Sequence, residues 1–413
     1  MPVPAPAQKK AIVLQGGTFH LGNGQILQNG ALRFEKGLIT EIGAQVPTEG
    51  AEIINTDGQH VYPGFILTAT TLGLNEIEAL RQTRDYAETG ELNPNVRALV
   101  AYNTDSELIP TIRNNGVLLA HVMPSSGLVS GLSSVMTLDG WNWEDAQHTP
   151  DVGLHLHWPP MYEQTGWWAE PGGIEKNEER EEILVQIEDL FRQARAYAKQ
   201  TNPEPVNLKL EAMRDLFSGR RILFLHASYA KEMVEAIALA QRHEVKKIVV
   251  IGGADALVIA DFLKNNQIPV ILDRLHRLPD WPEDPVWHPY ELPALLHQAG
   301  VKVALAYDVE SNAPMGTRNL PFLAGTAAAY GLDREVALQM ITSYPAQILG
   351  IAEKTGTLEK GKEASLVVSK GDLLDMRTNQ VQMAFIQGRK LDLNDKHKGL
   401  YQLYKEKYTR QKK

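Results

Sequence analysis

The chain has 413 residues, a formal net charge of −9 at pH 7, and 43% apolar and 22% charged residues. This is the composition of a globular protein, so extensive disorder and collagen-like repeats are excluded. The negative charge argues against nucleic-acid partners and anionic membrane surfaces, and no apolar run approaches the roughly 18 residues that a membrane-spanning helix needs. The absence of cysteine excludes disulfides, thiolate metal sites and cysteine nucleophiles.

The N-terminal 54 residues include a segment that predicts β-hairpins. Residues 1–8 are rich in Pro and Ala and have neither the charged nor the apolar region of an export signal. Between residues 11 and 54, short alternating apolar segments are separated by turn pairs such as Asn23-Gly24 and Lys36-Gly37. That combination is typical of antiparallel strands joined by tight turns.

After Pro63 the pattern changes to apolar strands that alternate with helical segments. Near-continuous apolar strands are typical of a parallel sheet covered on both faces, and strand-helix alternation indicates an α/β fold. Six to eight strands in some 290 residues favour a (β/α)₈ TIM barrel with insertions, and a doubly wound sheet is the alternative. The predicted strands are 117–122, 152–156, 222–225, 248–251, 270–272 and 303–306, and the clearest predicted helices are 175–199, 229–242 and 254–264.

The C-terminal part returns to short strands with Gly turns, at 356–368 and 381–390. We therefore expect a small β-sandwich domain built from both chain termini, with residues 1–62 and 351–395, beside a barrel of residues 63–350. Residues 396–413 form a basic tail with seven Lys and Arg against one Glu. We expect a solvated helix there, with Leu400, Leu403 and the tyrosines facing inward, and a basic docking tail is the alternative.

Three stretches resemble the amidohydrolase superfamily, the metal-dependent hydrolases that include dihydroorotase and imidazolonepropionase. Residues 61–66 (VYPGFI) resemble the opening of its first barrel strand. Residues 318–322 (RNLPF) and 346–350 (AQILG) resemble the helical run after its last strand. Residues 356–368 (GTLEKGKEASLVV) are similar to its return to the sheet domain. Their order and spacing cover nearly the whole chain and imply the family's barrel.

The resemblance also shows what this sequence lacks. A His-x-His pair normally follows the first-strand motif, but Ala69 and Thr71 stand at the two histidine positions. Alanine has no lone pair, and a neutral threonine hydroxyl is a poor ligand for Zn²⁺. Two residues match positions that the resemblance assigns to metal binding: His226 at the end of strand 5, and Asp308 after strand 8, which would also accept the proton of the attacking water. The bridging residue of strand 4 is not identified, and Lys209 lies in a helical pattern.

His155 and His157 are the other candidate metal ligands. They are two residues apart in a predicted strand, so both imidazoles should lie on one face, where they could replace the missing pair. Alternate histidines on a half-exposed strand are the plainer interpretation. Trp158 belongs to a group of five tryptophans between residues 141 and 168 that could form a substrate wall or pack subunits together.

Ser126 and Arg318 complete the candidate substrate-binding residues. Ser126 lies in the Gly/Ser-rich run 123–134, which we expect to be a loop at the barrel mouth, and Arg318 lies in the RNLPF stretch. The Gly/Ser-rich run 123–134 lacks the lysine that a phosphate-binding loop contains.

Two hypotheses about function follow. The first is an amidohydrolase-like enzyme that hydrolyses a non-peptide C–N bond, in a cyclic amide or a related small molecule, with one divalent ion (Zn²⁺ or Mn²⁺) or none. The second is a catalytically silent binding protein with the same fold. We expect a homo-oligomer, with a dimer as the base-rate expectation. Because relatives of this kind are often exported, and because the Pro/Ala start is compatible with an export signal that has been removed, we expect a periplasmic location, with a cytoplasmic one as the alternative.

Overall fold

The computed structural model describes residues 3–167, 169–307, 309 and 313–411. Its strands are β1 (Ala11–Gln15), β2 (Thr18–His20), β3 (Ile26–Leu27), β4 (Ala31–Glu35), β5 (Leu38–Gly43), β6 (Ala51–Asn55), β7 (His60–Pro63), β8 (Phe65–Thr70), β9 (Val117–Val122), β10 (Val129–Thr137), β11 (Gln147–His157), β12 (Tyr162–Trp167), β13 (Glu170–Lys176), β14 (Ile222–Ala227), β15 (Ile248–Gly252), β16 (Val270–Leu272), β17 (Val303–Leu305), β18 (Leu366–Ser369), β19 (Val381–Ile386) and β20 (Arg389–Lys390). Its α-helices are α1 (Ala98–Ala101), α2 (Leu108–Arg113), α3 (Trp143–Ala146), α4 (Arg180–Ala198), α5 (Leu208–Ser218), α6 (Ala230–Arg242), α7 (Ala260–Asn265), α8 (His288–Ala299), α9 (Leu320–Ala329), α10 (Arg334–Gln339), α11 (Ser343–Ile348) and α12 (Lys396–Gln411).

Two sheets contain the strands from the ends of the chain. One has four strands in the order β5-β4-β1-β6, and the other has six in the order β20-β19-β18-β7-β2-β3, so strands from both termini pair in the second sheet. A separate apolar core contains side chains of both sheets, among them Phe34 and Phe385, whose rings meet edge to face at 5.1 Å. Between residues 11 and 54, the predicted hairpins are present where β2 pairs with β3 and where β4 pairs with β5.

The centre of the molecule is an eight-stranded sheet in the order β8-β9-β10-β11-β14-β15-β16-β17. An isolated parallel bridge between Thr68 and Ala306 connects the first strand to the last, so the sheet is a nearly closed barrel. The helices cover it, and the main apolar core runs from the barrel interior to the inner faces of those helices. The predicted mixed α/β architecture with a central barrel is therefore confirmed.

One barrel strand departs from the regular (β/α)₈ pattern. β10 runs antiparallel to both β9 and β11, whereas the other pairings are parallel. The expectation of a loop over residues 123–134 is thus wrong in its second half, because β10 begins at Val129 and every one of its residues is buried. Its serines are satisfied internally: Ser133 Oγ donates to the Gly153 carbonyl at 3.3 Å, and Ser134 Oγ accepts from the Asp151 amide at 2.9 Å.

Two predictions about helices need correction. The helix expected over 175–199 begins at Arg180, since residues up to Lys176 belong to the hairpin of β12 and β13, a two-stranded sheet of its own. α12 forms as expected, but its apolar side chains do not face inward, because every residue of this helix is exposed. Among the described helices, none has the length and apolarity required to cross a membrane.

Candidate histidine centre

Three of the predicted site histidines meet at the carboxyl ends of two neighbouring barrel strands. His157 on β11 is the register partner of His226 on β14, and their rings stack at 4.0 Å. His155 lies two residues earlier on the same face of β11, because side chains alternate along a strand. The prediction that His155 and His157 share a face agrees with this geometry.

The ring nitrogens of these histidines bond mainly to protein groups. His155 Nδ1 and His226 Nε2 are 2.8 Å apart, so one of them donates to the other, and His157 Nε2 lies 3.3 Å from Ser130 Oγ. His155 Nε2 is buried and has no hydrogen-bond partner among the described residues. A direct bond between two imidazoles uses the lone pair that a metal ion would otherwise take.

A fourth histidine, His121 on β9, extends the cluster towards the middle of the barrel. The Ala69 amide donates to His121 Nδ1 at 3.3 Å, so the ring proton is on Nε2, which lies 2.7 Å from Ser133 Oγ. Both nitrogens of His121 are thus satisfied. Its place within the predicted strand 117–122 is the sequence signal that could have identified it.

An aromatic ring separates the inner histidines from the apolar floor of the barrel. Phe224, the register partner of His155, has its ring centroid 4.7 Å from His155 and 4.8 Å from His121. Gly153 makes room for this packing, since a Cβ there would lie 2.3 Å from a ring carbon of Phe224. The barrel interior is therefore close-packed with flat rings at this level.

Burial keeps these histidines neutral at physiological pH. Loss of solvation lowers the pKa of His121 to about 3 and that of His157 to about 4. It also lowers the pKa of His155 and of His226 well below the usual 6.5, and the neighbouring histidines lower both further. A base with so low a pKa accepts a proton from water only weakly.

The first barrel strand contributes backbone groups to the centre. Ala69 and Thr71 are buried, and Ala69 has φ of 47°, in the left-handed region that alanine seldom adopts. The pairing of β8 with β9 shifts register at this point, and the shift aims the Ala69 amide at His121. Thr68 Oγ1 donates to the Leu305 carbonyl at 2.7 Å and ties β8 to β17.

The described residues do not fit the metal centre that the resemblance implies. Within residues 3–307, apart from 168, and in the described part of the remaining chain, no group of three or more His, Asp or Glu side chains could hold a metal ion. Zn²⁺ sites in enzymes use three protein ligands and a water. Here Ala69 in β8 and Thr71 directly after it stand where the resemblance expects two histidine ligands. β15, the sixth barrel strand, ends at Gly252, which has no side chain to bind a metal. Asp308, the predicted base, lies outside the described residues.

Other predicted residues lie near the centre or away from it. The Trp158 amide donates to the His226 carbonyl at 3.0 Å, and its indole is buried. Ser126 Oγ accepts from the Glu88 amide at 3.1 Å. The Arg318 guanidinium donates to the sulfur of Met315 at 3.5 Å in the 3-10 segment Pro314–Asn319. Lys209 lies in α5 and donates to the Leu92 carbonyl, so it is not placed as a bridging ligand.

Asp273 is a residue that sequence reasoning missed. It directly follows β16, and its carboxylate accepts a hydrogen bond from the Val309 amide at 3.2 Å. Asp273 therefore connects the end of β16 to the segment that follows β17. The usable signal was its place one residue after a predicted apolar strand, which is where barrel sites are built.

Comparisons with known proteins agree with this architecture. The family model described as "Amidohydrolase family" matches residues 289–391. An imidazolonepropionase from Mesorhizobium japonicum (strain LMG 29417 / CECT 9101 / MAFF 303099) is 24% identical over an alignment of 367 residues, and the match covers 83% of this chain and 87% of that protein.

Two solved structures show the same fold. The crystal structure of an amidohydrolase from Thermotoga maritima MSB8 superposes with a TM-score of 0.78 at 23% identity, over 92% of this chain and 99% of that one. A Xaa-Pro dipeptidase structure superposes with a TM-score of 0.58 at 13% identity, over 92% of this chain and 100% of that one. The sequence stretches, the barrel and these matches together support the amidohydrolase superfamily for this chain.

Proposed function

We propose that this chain is a catalytically silent member of the superfamily, a small-molecule binding protein built on the amidohydrolase barrel. One observation carries the proposal. The buried imidazoles that remain at the barrel mouth bond to one another and to serine hydroxyls instead of converging on a common point.

The chemistry of hydrolysis supports the same conclusion. A bound Zn²⁺ lowers the pKa of its water from 15.7 to about 7, which makes hydroxide available at neutral pH. Without such help, a base must take a proton from ordinary water, and imidazoles with pKa values of about 3 and 4 are too weak for that task. The buried imidazoles of His121 and His157 are therefore poor activators of water.

The second candidate is a hydrolase that acts on a non-peptide C–N bond in a cyclic amide or a related small molecule. The names of the relatives favour it, and so does His155 Nε2, a buried ring nitrogen without a partner among the described residues. In this candidate His226 and Asp308 keep the roles that the resemblance implies, and the centre holds one divalent ion or none.

Turnover and binding measurements distinguish the two candidates. Protein prepared with added Zn²⁺ or Mn²⁺ is incubated with cyclic amides and Xaa-Pro dipeptides, and products are followed by mass spectrometry while the same compounds are tested for thermal stabilisation. We expect at least one compound to raise the melting temperature and none to be consumed faster than in buffer. Turnover that His226→Ala abolishes, and that the control His297→Ala in α8 retains, would establish the hydrolase and overturn the proposal.

We also propose the domain division and the location. A composite sheet domain of residues 1–62 and 351–395 beside a barrel of residues 63–350 is supported by the separate apolar core of the two end sheets. Limited proteolysis that releases the barrel from the paired end segments would test it. For location we propose the periplasm, with the cytoplasm as the alternative, and cell fractionation of the native protein decides between them.

A further inference from the structure

The helix α12 is exposed along its whole length. Each of its 16 residues is exposed, including Tyr401 and Leu403 at 62% each. Isolated helices shorter than about 12–15 residues are marginal in water, and helices in proteins gain most of their stability from packing an apolar face. α12 has such a face, because Leu400, Tyr404 and Tyr408 recur every four residues and Leu403 adjoins them. None of the described residues of this molecule covers that face.

The charge of α12 is opposite to that of the remaining chain. The helix contains five Lys and Arg residues and one Glu, a net charge of +4. Since the whole chain carries −9, the residues outside the helix carry −13. An acidic protein surface is therefore the natural partner for this helix, and another copy of the chain offers such a surface.

A surface of matching chemistry lies at the other end of the barrel. We call residues 162–167 and 169–182, which comprise the hairpin of β12 and β13 and the first turn of α4, the acidic hairpin surface. It contains seven exposed Glu residues against Lys176 and Arg180, a net charge of −5. Tyr162 and Ile174 are 59% and 77% exposed and lie on one face of the hairpin by its register. A two-stranded sheet alone is marginally stable in water, so this surface also gains by being covered.

The two surfaces lie at opposite ends of the barrel strands. α12 begins beside Asn114, between α2 and the start of β9, where Lys398 Nζ donates to Asn114 Oδ1 at 2.8 Å. The acidic hairpin surface follows the carboxyl end of β11. A six-residue strand such as β9 is about 20 Å long, so the barrel separates the root of the helix from the hairpin. α12 therefore reaches the acidic hairpin surface of a second molecule more readily than that of its own.

We propose that α12 of one molecule docks on the acidic hairpin surface of a second copy. The apolar face of the helix would cover Tyr162 and Ile174. Because Glu163 and Glu175 lie on the opposite face of the hairpin by its register, the lysines of the helix would meet the exposed glutamates at positions 178, 179, 181 and 182. Because the two surfaces differ, the contact is head-to-tail, which produces either a closed ring or an open chain. This inference does not depend on the proposed function.

Charge reversal tests the contact. Sedimentation velocity of the full chain is measured over a concentration series at low and high salt. We expect association at low salt that weakens at high salt, and its loss in Lys405→Glu/Lys407→Glu and separately in Glu181→Lys/Glu182→Lys. Lys9→Glu/Lys10→Glu is the matched control, since it makes the same charge change at exposed positions elsewhere and should leave association intact.

Combining the two reversals in one chain should restore association, because the charges are again complementary. A wild-type chain that stays monomeric at every concentration overturns the proposal. So does a control that behaves like the α12 variant, or a combined variant that stays dissociated. Binding to phosphatidylserine vesicles that requires Lys405 and Lys407, without self-association, would also overturn it and assign the helix to a membrane surface.

Discussion

At the scale of single residues, the centre is defined by what each ring nitrogen bonds to. The pair formed by His155 Nδ1 and His226 Nε2, at 2.8 Å, holds two imidazoles that could otherwise bind a cation. The strand that should supply further ligands supplies the Ala69 amide instead, and His121 accepts from it. Two histidine side chains are therefore missing at the end of β8, at Ala69 and Thr71, and a hydrogen bond from the backbone amide of Ala69 to His121 is present at the same place.

Restoring the missing histidines should restore metal binding at a cost in stability. In Ala69→His/Thr71→His, two large rings enter fully buried positions, so we expect unfolding to become easier by about 1–3 kcal/mol without metal. Added Zn²⁺ should then raise the melting temperature, because an ion that binds the folded state stabilises it. The wild-type chain is the control and should show no such rise. If added Zn²⁺ leaves the melting temperature of the variant unchanged, the residues at the end of β8 are not what prevents Zn²⁺ binding.

The buried histidines also predict how stability depends on pH. Their pKa values are lowered in the folded protein, so the unfolded chain binds more protons below its own pKa of about 6.5. The stabilising contribution is therefore complete above pH 6.5 and is lost as the pH falls towards about 4 for His157 and about 3 for His121. Within that pH range, each of these histidines lowers the free energy of unfolding by about 1.4 kcal/mol for every unit by which the pH falls. Urea unfolding between pH 7 and pH 5 measures the slope, and a flat profile would contradict the neutral network.

At the scale of elements, hydropathy identified most barrel strands but not β10. The predicted bounds of β9 and β16 match the structure, because these strands are apolar on both faces. β10 contains three serines that are buried only because His157, Gly153 and Asp151 provide bonding partners, and those partners are distant in sequence. A strand whose polar groups are satisfied by other elements cannot be distinguished from a loop by its own composition.

The packing between β11 and β14 gives a prediction for a single methyl group. Gly153→Ala places a Cβ 2.3 Å from a Phe224 ring carbon and 2.7 Å from the Ile222 carbonyl oxygen, so the ring or the strand must move. We expect a loss of about 1–3 kcal/mol in the free energy of unfolding, measured in urea. Gly173→Ala is the control, since its added Cβ meets nothing within 4 Å. Equal stability of the two variants would show that the ring stack tolerates expansion.

At the scale of the whole molecule, a buried ion cluster joins the barrel to a terminal sheet. Asp139, just after β10, pairs with Arg113 of α2 at 3.0 Å and with Arg389 of β20 at 2.9 Å. Its carboxylate also accepts from the Ala5 amide at 3.1 Å, so four distant segments meet there. The turn-rich ends of the chain were enough to predict a terminal sheet domain. They did not predict this ion cluster, because its members are up to 384 positions apart in sequence.

Removing the shared carboxylate should weaken the whole molecule. Asp139→Ala leaves two guanidinium groups without their acid in a buried setting, which typically costs about 3–5 kcal/mol. Asp189→Ala, which breaks the exposed pair with Arg192, should change stability by no more than about 0.5 kcal/mol. Thermal unfolding of both variants checks the contrast. A small effect at Asp139 would mean that the sheets and barrel are held together by apolar packing alone.

The sequence was sufficient for the fold class and for locating His155, His157 and His226, because strand alternation and strand order place residues on faces and at ends. It was not sufficient for the chemistry of the centre. Whether two imidazoles bond to each other or to an ion depends on ring rotation and on which neighbours fill the missing positions, and neither is encoded in local periodicity.

Elemental analysis of the intact protein, purified with added Zn²⁺ and Mn²⁺ and then freed of unbound ions, tests the central claim most directly. The histidine network described above predicts less than one ion per chain for either metal. One tightly held ion per chain that His155→Ala and His226→Ala both remove would contradict it, since those rings would then be ligands and not partners of each other.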